Sequence, residues 1–137
     1  MRIDVYSPQE WSKHATLAHM LVFNEFRPSE MNRIDYALVI MDEDKPLGYM
    51  TIREVDSETC YIQYGGAFHD TKNSTMSFKA YNMLIDWLSN KYKMCTTLIE
   101  NSNLVMLKFA MKVGFKIIGL RNFKNQILLE NYIEWGD

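Results

Sequence analysis

Polar and apolar positions change period several times along the chain, and each change marks an element. Arg2-Ile3-Asp4-Val5-Tyr6 alternates with period two, as a half-buried strand does. Ser7-Pro8-Gln9-Glu10 carries three helix-start signals: Ser7 as cap, Pro8 at the first helical position and Glu10 closing a capping box. Trp11, Ala15, Ala18 and Val22 then form an apolar stripe that fades over residues 24–28, and residues 27–33 read as a loop or short second helix. His14 and His19, on or beside this helix, read as surface or partly buried side chains. Tyr36 to Met41 is a nearly continuous apolar run, expected of a central strand. Asp42-Glu43-Asp44-Lys45 predicts a solvated hairpin tip, and Pro46 to Glu54 its partner strand. A turn at Asp56-Ser57 leads into a further strand at Thr59, so these three strands predict an antiparallel meander.

The stretch from Tyr61 to Phe115 organises the rest. Cys60 to Tyr64 is strand-forming and runs into Gly65-Gly66-Ala67-Phe68. A polar, turn-forming segment follows, from His69 to Thr75. Phe78, Tyr81, Leu84, Ile85, Leu88 and Tyr92 recur at helical spacing, and Met94 to Ile99 is again strand-like. Asn103 opens a second helix with Met106, Phe109, Ala110 and Val113 on one face, and Gly114 closes it. A strand, helix and strand of this length predict a parallel pair, and the polar turn before the helix is a place where an anion can bind. Lys116 to Leu120, a turn near Asn122 to Asn125, and Gln126 to Trp135 predict a closing hairpin. The expected order is βαβββαβαββ, an α/β mixed sheet with helices packed on its faces.

Composition narrows the class. The 137 residues suffice for one domain with a real core. A net charge of −2 gives no global pull toward nucleic acid or anionic membrane. No run approaches the roughly 20 apolar residues of a membrane span, and the N-terminus lacks the pattern of a secretory signal. Cys60 and Cys95 fall inside predicted strands without further ligand residues, so they read as reduced core thiols of a cytoplasmic protein and no metal is expected; a disulfide or a metal pair is the alternative.

The order of elements and the run Asn103-Leu104-Val105-Met106-Leu107-Lys108-Phe109-Ala110-Met111-Lys112-Val113-Gly114-Phe115 resemble the GNAT superfamily, the Gcn5-related N-acetyltransferases. That run is similar to the family's Asn, eleven residues, Gly-Phe arrangement, and Pro46-Leu47-Gly48-Tyr49 looks like its third strand. The resemblance covers nearly the whole chain. It implies a mostly antiparallel sheet whose parallel fourth and fifth strands splay apart, with helices on both faces. In detail the chain looks like small GNAT-like proteins of tailed bacteriophages, some of them described as head-assembly accessories. Asp86-Trp87-Leu88, Trp135 and a glycine-free polar loop carry that likeness.

What the resemblance implies chemically is an acetyl-CoA site. The free edge at Gly66-Ala67-Phe68 would take the pantetheine arm, and the helix start would take the pyrophosphate. The family's loop is Gln or Arg, two residues, Gly, one residue, Gly or Ala. Lys72-Asn73-Ser74-Thr75-Met76-Ser77 falls at that place, with Lys72 as the base and Thr75 and Ser77 where small residues belong. Asn103 would join this cofactor set. The plain reading of the loop is a polar turn with Ser74 or Thr75 capping the helix. The family's acid is a Tyr seven residues after the motif Asn; here that position is Ala110. Tyr61, Gln63, Tyr64, Glu54 and Glu100, the carboxylate after the fifth strand, are the candidates for the base, with Tyr64 near the acetyl position; the plain readings of Glu100 and Tyr64 are a solvated strand end and packing or pocket lining. Three functions stay open: an N-acyltransferase acting on a small amine or a protein amine, a non-catalytic phage head-assembly or virion protein that works on virion partners, and a cofactor-binding module that senses or inhibits. The last strand, Gln126 to Trp135, reads as an exposed edge able to pair in a homodimer.

Overall fold

The computed structural model describes residues 1–15, 18, 33–67 and 74–136. Its elements are β1 (Arg2–Tyr6), α1 (Pro8–Ser12), β2 (Tyr36–Asp42), β3 (Lys45–Glu54), β4 (Thr59–Ala67), α2 (Ser74–Ser89), β5 (Met94–Glu100), α3 (Leu104–Val113), β6 (Lys116–Phe123) and β7 (Gln126–Glu134). The seven strands form one sheet in the order β1-β2-β3-β4-β5-β7-β6, parallel only between β4 and β5. This is the mixed α/β sheet expected from the sequence. Val22, His19 and the polar turn from His69 to Asn73 lie outside the described residues.

The packing divides into two compact units, Met1–Arg53 with Gln63–Leu84 and Glu54–Ile62 with Ile85–Asp137. In the first, β1 and β2 pair antiparallel from Arg2↔Met41 to Tyr6↔Ala37, and β2 pairs with β3 from Tyr36↔Ile52 to Asp42↔Lys45. The capping box is formed: Ser7 Oγ accepts from the Glu10 N–H at 3.2 Å, and Glu10 Oε1 accepts from the Ser7 N–H at 3.0 Å. The core of this unit gathers Trp11, Ala15, Ala18, Ala37, Val39 and Tyr49, with Tyr6, Ile34, Met41 and Tyr64 packed against it. The Trp11 and Tyr49 rings lie 5.0 Å apart, a contact that fixes α1 on the β2–β3 face.

In the second unit β4 and β5 run parallel, Thr59↔Met94 through Ile62↔Thr97. Thr97 Oγ1 donates to the Ile62 carbonyl across this pair at 3.0 Å. Cys60 and Cys95 are Cα partners, both fully buried, and both are free thiols. Hydrogen bonding to Cys60, and then burial, push the Cys95 thiol far above its ordinary pKa, so it stays neutral. Asn103 caps α3, its Oδ1 accepting from the Met106 N–H at 3.2 Å. Gly114 ends the helix at φ 111°, a left-handed conformation that suits glycine.

The closing hairpin corrects one expectation. The strand Gln126–Glu134 is not an edge: β7 pairs with β5 from Met94↔Glu134 to Glu100↔Leu128 and with β6 on its other side. Among the described residues the edge at this end of the sheet belongs to β6, which stands last in the strand order. A hairpin signal fixes the pairing of its own two strands but not which of them joins the sheet, and here the second strand inserts. Its turn is Lys124-Asn125, both at positive φ (46° and 66°), as a two-residue type I′ turn demands.

Candidate functional site

The candidate residues are held by different elements, and each unit holds its own set. In the first unit β4 carries Tyr64 and ends at Ala67, and α2 begins at Ser74. Tyr64 is tied to β3 through a side chain: the buried Thr51 hydroxyl accepts from the Tyr64 N–H at 3.0 Å and lies 3.4 Å from its carbonyl as a donor. Thr51 sits inside an apolar run, so nothing but a single hydroxyl among apolar neighbours signals this role in the sequence. Burial, with a smaller contribution from neighbouring Tyr64, raises the Tyr49 phenol well above its ordinary pKa, and it stays protonated.

Gly65 follows Tyr64 for a steric reason. A Cβ there would stand 2.8 Å from the Tyr49 carbonyl oxygen and 3.0 Å from Met50 Cγ. Only glycine lets β4 lie this close to β3, so Gly65 sets the position of the strand end that follows.

The 16-residue helix α2 starts Ser74-Thr75-Met76-Ser77, with no acidic residue in its first turn. Thr75 and Met76 are exposed and Ser77 is half-buried. The first turn of a helix carries a partial positive charge, which favours an anion there. Phe68, Lys72 and Asn73 lie outside the described residues.

In the second unit Glu100 is the exposed last residue of β5, opposite Leu128 of β7. Its carbonyl accepts from the Asn103 N–H at 2.9 Å, which ties the strand end to the start of α3. Glu100 and Asn103 are therefore brought together, with the Asn103 side-chain oxygen engaged in capping. Ala110, where the resemblance would place a proton donor, is fully buried. Glu54 is engaged elsewhere. The Tyr92 hydroxyl donates to Glu54 Oε2 at 2.5 Å, and Lys91 Nζ stands 3.9 Å from the same oxygen.

A shallow cleft of about 470 Å³ in the same unit is lined by Glu58, Lys93, Met94, Lys116, Tyr132 and Trp135, among others. It opens at the start of β5, the opposite end of that strand from Glu100. Lys93 and Glu58 pair across it at 3.5 Å, and Tyr132 donates to Glu134 at 3.2 Å, so its polar groups largely satisfy one another. Among the described residues no group of three or more metal-ligating side chains comes together, and no helix is long and apolar enough to cross a membrane.

No protein-family model and no curated protein matches the sequence. Solved structures do match the fold. The ribosomal-protein-S18-alanine N-acetyltransferase from Escherichia coli superposes with a TM-score of 0.77 at 10% identity, over 99% of this chain and 96% of its own. A GNAT family acetyltransferase from Elizabethkingia anophelis, with acetyl-CoA bound, gives 0.70 at 15% identity over 96% and 97%. A spermidine N-acetyltransferase chimera from Vibrio cholerae and hSSAT gives 0.76 at 10% identity over 98% and 96%. The chain has the fold of the GNAT acetyltransferases.

Proposed function

We propose, from that shared fold, that this protein is an N-acetyltransferase that uses acetyl-CoA and acts on a primary amine of a small molecule or a protein. The observation that carries the reading is a likeness extending over nearly the full length of both chains to acetyltransferases, one of them holding acetyl-CoA. Fold alone does not assign chemistry, so the residues must fit the cofactor. Support for that fit comes from α2, whose first turn has no acid to repel a phosphate and carries the partial positive charge of a helix start.

Acetyl-CoA, when bound, supplies an acetyl group activated as a thioester. Lys72, Asn73, Ser74, Thr75, Met76 and Ser77 are assigned to its phosphates, Ala67 and Phe68 to its pantetheine arm, and Asn103 to the same cofactor. The Glu100 carboxylate is assigned to take the proton from the acceptor amine, and Tyr64 to contact the acetyl group. Ala110 can donate no proton, so a slow enzyme is expected.

The test is thiol release from acetyl-CoA in the presence of spermidine or of peptides with an N-terminal alanine. If Glu100 is the base, Glu100→Gln should lower kcat by roughly 10²–10⁴, and an unchanged rate would exclude it. A second reading has one observation in its favour, the buried Ala110: a GNAT-fold accessory without catalysis, such as a phage head-assembly protein. Cofactor binding without turnover on any amine would select a non-catalytic role.

A further inference from the structure

The edge of the sheet carries an apolar surface that catalysis does not use. Among the described residues strand β6 is paired on one side only, and Ile117, Ile118, Leu120 and Phe123 are 47%, 59%, 62% and 53% exposed. A strand eight residues long, free of proline and rich in exposed apolar side chains is a template for another strand. We propose that β6 pairs antiparallel with β6 of a second copy, on a two-fold axis at Leu120, to form a homodimer.

The hydrogen-bond phase follows from the hairpin. A two-residue turn makes its flanking residues, Phe123 and Gln126, a hydrogen-bonded pair. Alternation along the ladder makes Arg121↔Leu128 hydrogen-bonded, and Asn122↔Ile127 and Leu120↔Leu129 not. Leu120 and Asn122 therefore direct their main-chain N–H and C=O groups away from β7, toward the open edge. With Leu120 on the axis, these groups pair with those of the second copy's Leu120.

The charges select the same register. It sets Arg121 opposite the second copy's Gly119, whereas an axis at Arg121 would oppose two guanidinium groups. Gly119 pairs with Glu130, and a Cβ built on Gly119 would stand 3.9 Å from Glu130 Oε1, so the carboxylate lies over the glycine. Arg121 Nε already donates to that oxygen at 2.7 Å within the chain. The second copy's Arg121 would reach across the bare glycine to Glu130, two strand spacings or about 10 Å away from backbone to backbone. One carboxylate can accept from both guanidinium groups. Lys116 faces the second copy's Lys124 only at the exposed ends, where screening makes the repulsion small.

Sedimentation velocity between about 1 and 200 µM, a span that brackets micromolar association, tests this. The wild type should pass from 16.2 kDa toward twice that mass. Leu120→Pro removes a donor that β7 does not use, so it should keep the wild-type circular dichroism and stay monomeric. If that variant fails to fold, the charges decide: Arg121→Glu and Glu130→Arg should each be monomeric alone and associate when mixed. A wild type that remains monomeric throughout, a folded Leu120→Pro that still dimerises, or charge variants that dimerise alone as well as mixed would overturn the proposal.

Discussion

Gly65 shows how much of a strand's course can rest on one missing side chain. Its φ is not among the positive ones, and the constraint is a 2.8 Å approach to the Tyr49 carbonyl. Backbone cannot retreat as a flexible side chain can, so Gly65→Ala should cost about 1–3 kcal/mol, read from urea denaturation. A variant as stable as the wild type would mean that β3 and β4 are not this close. Such contacts escape sequence reading because they join residues whose proximity only the sheet creates. The same holds for Tyr92 and Glu54, 38 positions apart and bonded, and for Thr51, whose hydroxyl holds Tyr64. Asn103 and Gly114 were legible, since capping is local chemistry with a fixed spacing.

At the scale of elements, periodicity placed strands and helices because each buries one face. The boundaries shifted where a turn was closed by main-chain conformation: β6 runs on to Phe123, since Lys124 and Asn125 alone make the turn. The start of α1 was written in its side chains, and it carries a pH signature. Bonds from the Ser7 N–H and then from its hydroxyl hold the Glu10 carboxyl below its ordinary value of 4.5. A pKa lowered on folding means that Glu10 stabilises the fold fully above pH 4.5 and loses that contribution as pH falls through the lowered value. Ser7→Ala should cost about 0.5–2 kcal/mol at neutral pH and flatten the decline in stability below pH 4.5, both measured by denaturation at several pH values. An identical pH profile in the variant would show that the capping box adds nothing.

At the scale of the whole molecule, the fold class was readable from the order of elements, and the function is proposed from the fold they make. Order of elements constrains topology strongly, because parallel pairs need crossovers and meanders do not. It left the free edge open, and the structure moved that edge from β7 to β6. The cofactor assignment draws on a turn without glycine, where Thr75 and Ser77 stand in place of smaller residues. Everything proposed about catalysis depends on whether that turn still takes a phosphate. The most direct measurement is a thermal melt of the wild type and of Thr75→Glu, with and without acetyl-CoA. At about 100 times Kd, binding adds about 2.7 kcal/mol, which for a chain of this length raises Tm by on the order of 9 °C. A glutamate at a helix start favours the helix but repels phosphate, so Thr75→Glu should melt like the free wild type at either condition. An unshifted wild type at millimolar acetyl-CoA, or a variant stabilised as much as the wild type, would contradict the assignment of this turn to the cofactor.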